Sequence, residues 1–180
     1  MRIVGGSLKG RRLAAPDGKV ARPTADRARE ALFNILAHSD RVELAGAVVV
    51  DCFAGSGALG FEALSRGAAE VTFIENHPDS LAAIKANLSM LGETAEIVRG
   101  DATKPPPSRR PCTLAFLDAP YHSDLSASCL LALARQNWLA PEALCIVEVA
   151  AKEDFTAPDG FAAVDERVYG AAKLVFVVAP

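Results

Sequence analysis

The chain has 180 residues, 51% of them apolar and 23% charged, the size and balance of one globular domain with room for a sizeable core. No apolar run approaches the roughly 20 residues that span a bilayer, and the opening Met1-Arg-Ile-Val-Gly-Gly lacks the apolar stretch of a signal peptide, so a cytoplasmic protein is expected. The net charge of −3 excludes a uniformly basic nucleic-acid binder.

The charge is unevenly placed along the chain. Residues 1–41 hold nine Lys/Arg against four Asp/Glu, a net of +5, which leaves ten basic and eighteen acidic residues, a net of −8, for the remainder. A basic leading segment on an acidic body suggests a grip for a polyanion beside a differently charged pocket. In chain order, Arg2-Ile-Val and Arg11-Arg-Leu-Ala flank a glycine-containing turn and predict a small β-hairpin. After a Pro/Gly loop, Thr24 is placed to cap a helix whose apolar stripe is Ala28, Ala31, Leu32, Ile35 and Leu36.

From residue 46 short apolar strands alternate with helices. Strands are predicted at 47–51, 71–75, 95–99, 113–118 and 144–149, with helices after the first, at 78–91 and at 124–136. Two closing β-like runs, 162–168 and 173–178, have too little chain between them for a crossover helix and predict an antiparallel hairpin at a sheet edge. The expected fold class is therefore α/β. It is a Rossmann-like, mostly parallel seven-stranded sheet with helices on both faces and a C-terminal antiparallel hairpin. One domain is expected over 1–180, with a basic hairpin and helix at 1–41 and a catalytic core at 42–180. Cys52, Cys112, Cys129 and Cys145 show neither metal spacing nor a disulfide pattern and read as small buried hydrophobes.

Sheets of this kind bind ligands beyond the carboxyl ends of their strands, where the strand order reverses. Four such ends carry an acid: Asp51, Glu75, Asp101 and Asp118. Gly55-x-Gly57-x-x-Gly60 matches a dinucleotide fingerprint and leads into a helix amino terminus, so an NAD-dependent oxidoreductase must be weighed. Charge argues against it, because the pyrophosphate of NAD would meet Asp51. S-adenosylmethionine brings an ammonium, a sulfonium and only one carboxylate, and suits an anionic crevice. The cofactor-binding candidates are Asp51, Phe53, Ala54, Gly55, Ser56 and Gly57 around the turn, Glu75 and Asn76 for the ribose hydroxyls, and Asp101 with Ala102 for the adenine.

Asp118-Ala119-Pro120-Tyr121 follows the fourth strand and resembles the Asp/Asn-Pro-Pro-Tyr/Phe motif of methyltransferases that alkylate exocyclic amines of bases. Such an amine is a poor nucleophile, since its lone pair is delocalised into the ring. A carboxylate and a main-chain carbonyl accepting its two protons would free that lone pair, while Tyr121 stacks on the base. Ala119 replaces the usual first proline; the carbonyl survives that change but the backbone stiffness does not. His122 is not needed as a base, because the methylated amine can lose its proton to water.

With these motifs in place, the whole chain resembles the bacterial 16S ribosomal RNA guanine-N2 methyltransferase family. Met1-Arg-Ile-Val-Gly-Gly with Gly10-Arg-Arg-Leu is similar to its opening hairpin, and Arg22-Pro-Thr-Ala-Asp-Arg27-Ala-Arg29-Glu30-Ala-Leu-Phe33-Asn34 to its next motif. Asp51 to Arg66 is a long match, and Tyr169-Gly170 with Leu174 is similar to its closing hairpin, although Ala171-Ala172-Lys173 departs from the usual residues. The resemblance implies methylation of a guanine amino group in 16S rRNA, on the small ribosomal subunit or a part of it. It also implies that Arg22 and Thr24 lie near the cofactor or target base. Arg2, Lys9, Arg11, Arg12 and Arg27 are the remaining RNA-contact candidates. No metal or membrane partner and a monomer are expected. Alternatives are a methyltransferase of DNA adenine or protein glutamine, and an RNA-binding assembly factor that has lost the reaction.

Overall fold

The computed structural model describes residues 1–16 and 23–180, and the side chains of Pro23, Thr24 and Ala25 lie outside that description. Helix α1 (Pro23–Ala37) precedes an alternating run: β1 (Val48–Cys52), α2 (Ala58–Ser65), β2 (Glu70–Glu75), α3 (Pro78–Leu91) and β3 (Glu96–Arg99). Then follow β4 (Cys112–Leu117), α4 (Leu125–Arg135), β5 (Leu139–Ala150), β6 (Ala162–Tyr169) and β7 (Ala172–Val178). The strands form one seven-stranded sheet in the order β3-β2-β1-β4-β5-β7-β6. The first five are parallel, while β7 runs antiparallel between β5 and the edge strand β6. The Rossmann-like sheet and the closing hairpin are thus as expected.

The central strands are parallel and covered because their side chains are apolar on both faces. All five residues of β1 are buried, and alternate residues serve opposite clusters. Val49, Phe73, Phe116 and Ile146 pack with Leu32 and Phe33 of α1, Phe61 of α2 and Ile84 of α3. Val50, Ile74, Leu117 and Val147 pack on the other face with Cys129, Leu130 and Leu133 of α4. All four cysteines are free and buried. Burial pushes the Cys112 thiol up to about 12, so these thiols are apolar filling, as read from the sequence. Among the described residues no helix is long and apolar enough to cross a membrane.

The opening hairpin is present in short form: Arg2 bridges Arg12 in antiparallel sense, the Ile3 amide donates to the Arg11 carbonyl, Gly10 to Ile3 and Leu13 to Met1. Two expectations need correction. Helix α1 begins at Pro23, whose fixed φ suits a first helical position. Thr24 therefore lies inside the first turn and is not the residue that precedes it. Strand β5 starts five residues earlier than the apolar run, since Leu139 pairs with Cys112 before a register shift carries the ladder to Leu114 with Leu144. Glu142 sits in that irregular stretch at φ 60°.

Candidate active site

The strand order reverses between β1 and β4, which lie side by side. In sheets of this order ligands bind at that point, beyond the carboxyl ends of the strands. Asp51 shares the sheet face of Val49, Glu75 that of Phe73, and Glu148 that of Ile146, by strand alternation. These acids therefore rise on the face covered by α1, α2 and α3. Asp118 follows directly on β4 and donates its amide to the Cys52 carbonyl at 3.5 Å, which ties the two strand ends together.

The glycine turn is built around carboxylates. Phe53 at φ 55° and Gly55 at φ 57° turn the chain out of β1, and Gly57 at φ 78° starts α2. A side chain on Gly57 would be strained in that conformation and would also meet the Phe61 and Phe73 rings within 3 Å. Gly60 is excluded from larger residues by packing alone, because an added Cβ would lie 2.3 Å from the Phe73 ring. The Gly60 amide donates to Asp51 Oδ2 at 2.8 Å, and the Gly55 amide to Glu75 Oε2 at 2.7 Å. Glu75 Oε1 also accepts the amides of Asn76 and His77, each at 2.8 Å. The carboxylate expected to hold a ribose thus also fixes the turn beside it. Ala54 closes the arrangement by donating its amide to the Ile74 carbonyl.

Charge in this crevice is concentrated and partly hidden from water. Asp51 is 1% exposed. Burial pushes its carboxyl well above the usual range, the Gly60 amide draws it back, and the Asp118 and Glu75 carboxylates raise it further. A cation placed among these three acids would relieve that repulsion, whereas a diphosphate would add to it. Asp101 is on the open side: its Oδ1 accepts the amide and the hydroxyl of Thr103, which holds its carboxyl below the ordinary value. Ala102 turns inward and is buried in the second cluster.

Ala119 is buried, whereas Asp118, Pro120 and Tyr121 are exposed. The Tyr121 hydroxyl donates to Glu148 Oε1 at 2.7 Å, and the His122 amide donates to both carboxylate oxygens of Glu153 at 3.1 Å. His122 is held at φ 58°, left-handed backbone that a non-glycine residue adopts only where its surroundings impose it. Sequence reasoning missed Glu148 and Glu153. The signal for Glu148 was present as the one acid inside the apolar run Cys145-Ile-Val-Glu-Val149.

The basic segment is docked against the same face. Val4 donates its amide to Glu62 Oε2 at 2.8 Å, and fully buried Glu62 also pairs with Arg66 at 2.9 Å and Arg29 at 3.8 Å. Arg2, Lys9, Arg12 and Arg27 are exposed. Arg11 is already engaged, donating to the Met90 carbonyl at 2.7 Å at the end of α3. Ser56, in the glycine turn, is buried and its hydroxyl lies 3.5 Å from Met1 Sδ. Arg22 lies outside the described residues, as does the side chain of Thr24.

A family model described as Conserved hypothetical protein 95 matches residues 1–178. The chain belongs to this family. Among similar proteins, the Haemophilus influenzae protein named Ribosomal RNA small subunit methyltransferase D is 36% identical, with 94% of this chain and 89% of that protein covered. The Escherichia coli K12 protein of the same name is 39% identical over 94% of this chain and 85% of its own length. A solved Escherichia coli structure described as a putative methyltransferase, yhhF, superposes with a TM-score of 0.83 at 36% identity, covering 99% of this chain and 97% of that one. The family recognised from the opening, glycine-turn and closing motifs is therefore borne out, and with it the class I methyltransferase fold.

Proposed function

We propose that this protein transfers a methyl group from S-adenosylmethionine to the exocyclic N2 amine of a guanine in small-subunit ribosomal RNA. The observation that carries the reading is the meeting of Asp51, Glu75 and Asp118 at one switch point, where burial first, and the two neighbouring carboxylates after it, raise the Asp51 carboxyl. That donor set fits a ligand with an ammonium and a sulfonium, and the names of the relatives from Haemophilus influenzae and Escherichia coli supply the RNA class. When bound, the donor supplies an electrophilic methyl carbon attached to positive sulfur.

The chain's own groups do the rest. Glu75 accepts ribose hydroxyls while keeping the Gly55 turn in place, and Asp51 offsets the positive end of the donor. Asp101 and the Ala102 amide face the adenine. Asp118 and the Ala119 carbonyl accept the two amine protons, which frees the nitrogen lone pair, and Tyr121 holds the base by stacking. Transfer to the freed nitrogen would release the donor as a neutral thioether, and the proton shed by the methylated amine would pass to water. Arg2, Lys9, Arg12 and Arg27 hold phosphates, with Arg22 and Thr24 beside the cofactor or base.

Calorimetry with each cofactor in turn checks the donor: S-adenosylmethionine should bind and NAD should not, and the reverse result would refute the reading. Asp118→Ala should lower methyl transfer by at least about a hundredfold, as expected when a group acting on the reacting amine is lost, while leaving donor affinity within a few-fold. Transfer at the wild-type rate would remove Asp118 from the reaction.

A further inference from the structure

Asn87 is fully buried on α3, and its carboxamide reaches two segments outside that helix. Oδ1 accepts the Ala14 amide at 2.7 Å, while Nδ2 donates to the Ala14 carbonyl at 3.0 Å and to the Ser56 carbonyl at 3.1 Å. The two bonds to Ala14 fix both position and direction of the chain where it leaves the basic opening segment. The third reaches the middle of the glycine turn, between Gly55, which is tied to Glu75, and Gly57, which starts α2. Both hydrogens of one amide nitrogen thus hold carbonyls from two separate parts of the proposed machinery. A second contact, Ser56 Oγ to Met1 Sδ at 3.5 Å, joins the same two parts. A carboxamide buried here is stabilised only while both backbones stay where they are.

We propose that Asn87 is a positioning residue that couples the RNA-gripping segment to the cofactor turn, so that cofactor and RNA each strengthen the binding of the other. The proposal rests on the rRNA methyltransferase reading above. A donor seated on the turn immobilises Ser56, and through Asn87 it also immobilises Ala14 and the segment carrying Arg2, Lys9 and Arg12. RNA holding that segment orders the turn in return. Because binding free energies are linked, the factor is the same in both directions, and it arises because one ordering event serves both ligands.

The test measures the affinity of S-adenosylhomocysteine, the unreactive product, with and without unmethylated small ribosomal subunits. The wild-type affinity should rise about tenfold, within the usual range of site-to-site coupling, when the subunits are present. In Asn87→Ala, and in Asn87→Asp, where an acceptor faces two carbonyls, the ratio should fall towards one. Hydrogen exchange on the wild-type protein needs no variant. Subunits added alone should slow exchange at Ser56 and Gly57, and S-adenosylhomocysteine alone should slow it at Leu13 and Ala14. A variant that melts earlier but keeps the wild-type ratio would reduce Asn87 to a packing residue and overturn the proposal. So would wild-type protein that methylates subunits with a ratio of one and no transmitted protection. Wild-type protein that neither binds nor methylates subunits would instead fail the parent reading and take the coupling with it.

Discussion

Asp51 illustrates how a single residue can serve a site at the expense of the fold. Its carboxyl is raised by burial first and by neighbouring acids after that. A folded-state value above the unfolded one means the native state holds its proton more tightly. As pH rises past the unfolded carboxyl range, ionisation therefore begins to cost stability, and the cost grows until the folded value is passed. Asp51→Asn can still accept the Gly60 amide through its carbonyl oxygen, so denaturant unfolding at neutral pH should show a more stable protein with a flatter pH profile above pH 4, and calorimetry a weaker donor affinity. An unchanged profile would remove Asp51 as the source. Glu62 is the opposite case, since Arg66, Arg29 and the Val4 amide all converge on it. Glu62→Ala removes the partner of Arg66 and of the Val4 amide, while Arg29 keeps Asp26 and the Arg2 carbonyl, and should lose roughly 3 kcal/mol in a urea titration. Asp51 could be singled out in the sequence because it ends an apolar strand before three glycines. Glu62 could not, because its partners are 4, 33 and 58 positions away in the chain.

At the scale of elements, period and punctuation carry most of the information. Helix α3 spans the expected residues because Pro78 opens it and Gly92, at φ 71°, closes it. The parallel strands stand out since burial on both faces leaves them almost wholly apolar. Local signals fail where an element is completed by something distant. The opening hairpin makes its own cross-strand bonds, but no local signal announces that Ser7 also donates its amide to the Ser65 carbonyl and Leu8 to Ser65 Oγ at 2.9 Å, which dock it on α2. Strand β5 hides its first residues because its partner lies in β4 and its bulge carries turn-like residues. The contact of α2 with β2 also yields a prediction. Gly60→Ala would drive a methyl group into Phe73 and Val71, and overpacking of this kind costs about 1–3 kcal/mol. A fall in melting temperature with little loss of donor binding is expected, and an unchanged melting temperature would show that the two elements can separate freely.

Over the whole molecule, the carboxyl ends of β1, β2 and β4 supply an anionic crevice, and the docked opening segment supplies cations on the same face. Four exposed basic side chains, Arg2, Lys9, Arg12 and Arg27, give a logarithmic slope of RNA affinity against salt of roughly −3 if each meets one phosphate. Neutralising any one of them should reduce that slope by about 0.7–0.9; a slope near zero would move the RNA to another surface. The switch point and its acids were readable because the topology follows from alternating elements. What lies around them was not, since Glu148, Glu153 and Asn87 act through partners brought close only by folding.

The most direct test supplies labelled S-adenosylmethionine and this protein to small ribosomal subunits from a strain lacking it, then maps the modified nucleotide. The account predicts label on the N2 amine of one guanine, lost with Asp118→Ala. Label on a different base or on protein, or no transfer to any form of the subunit, would contradict it.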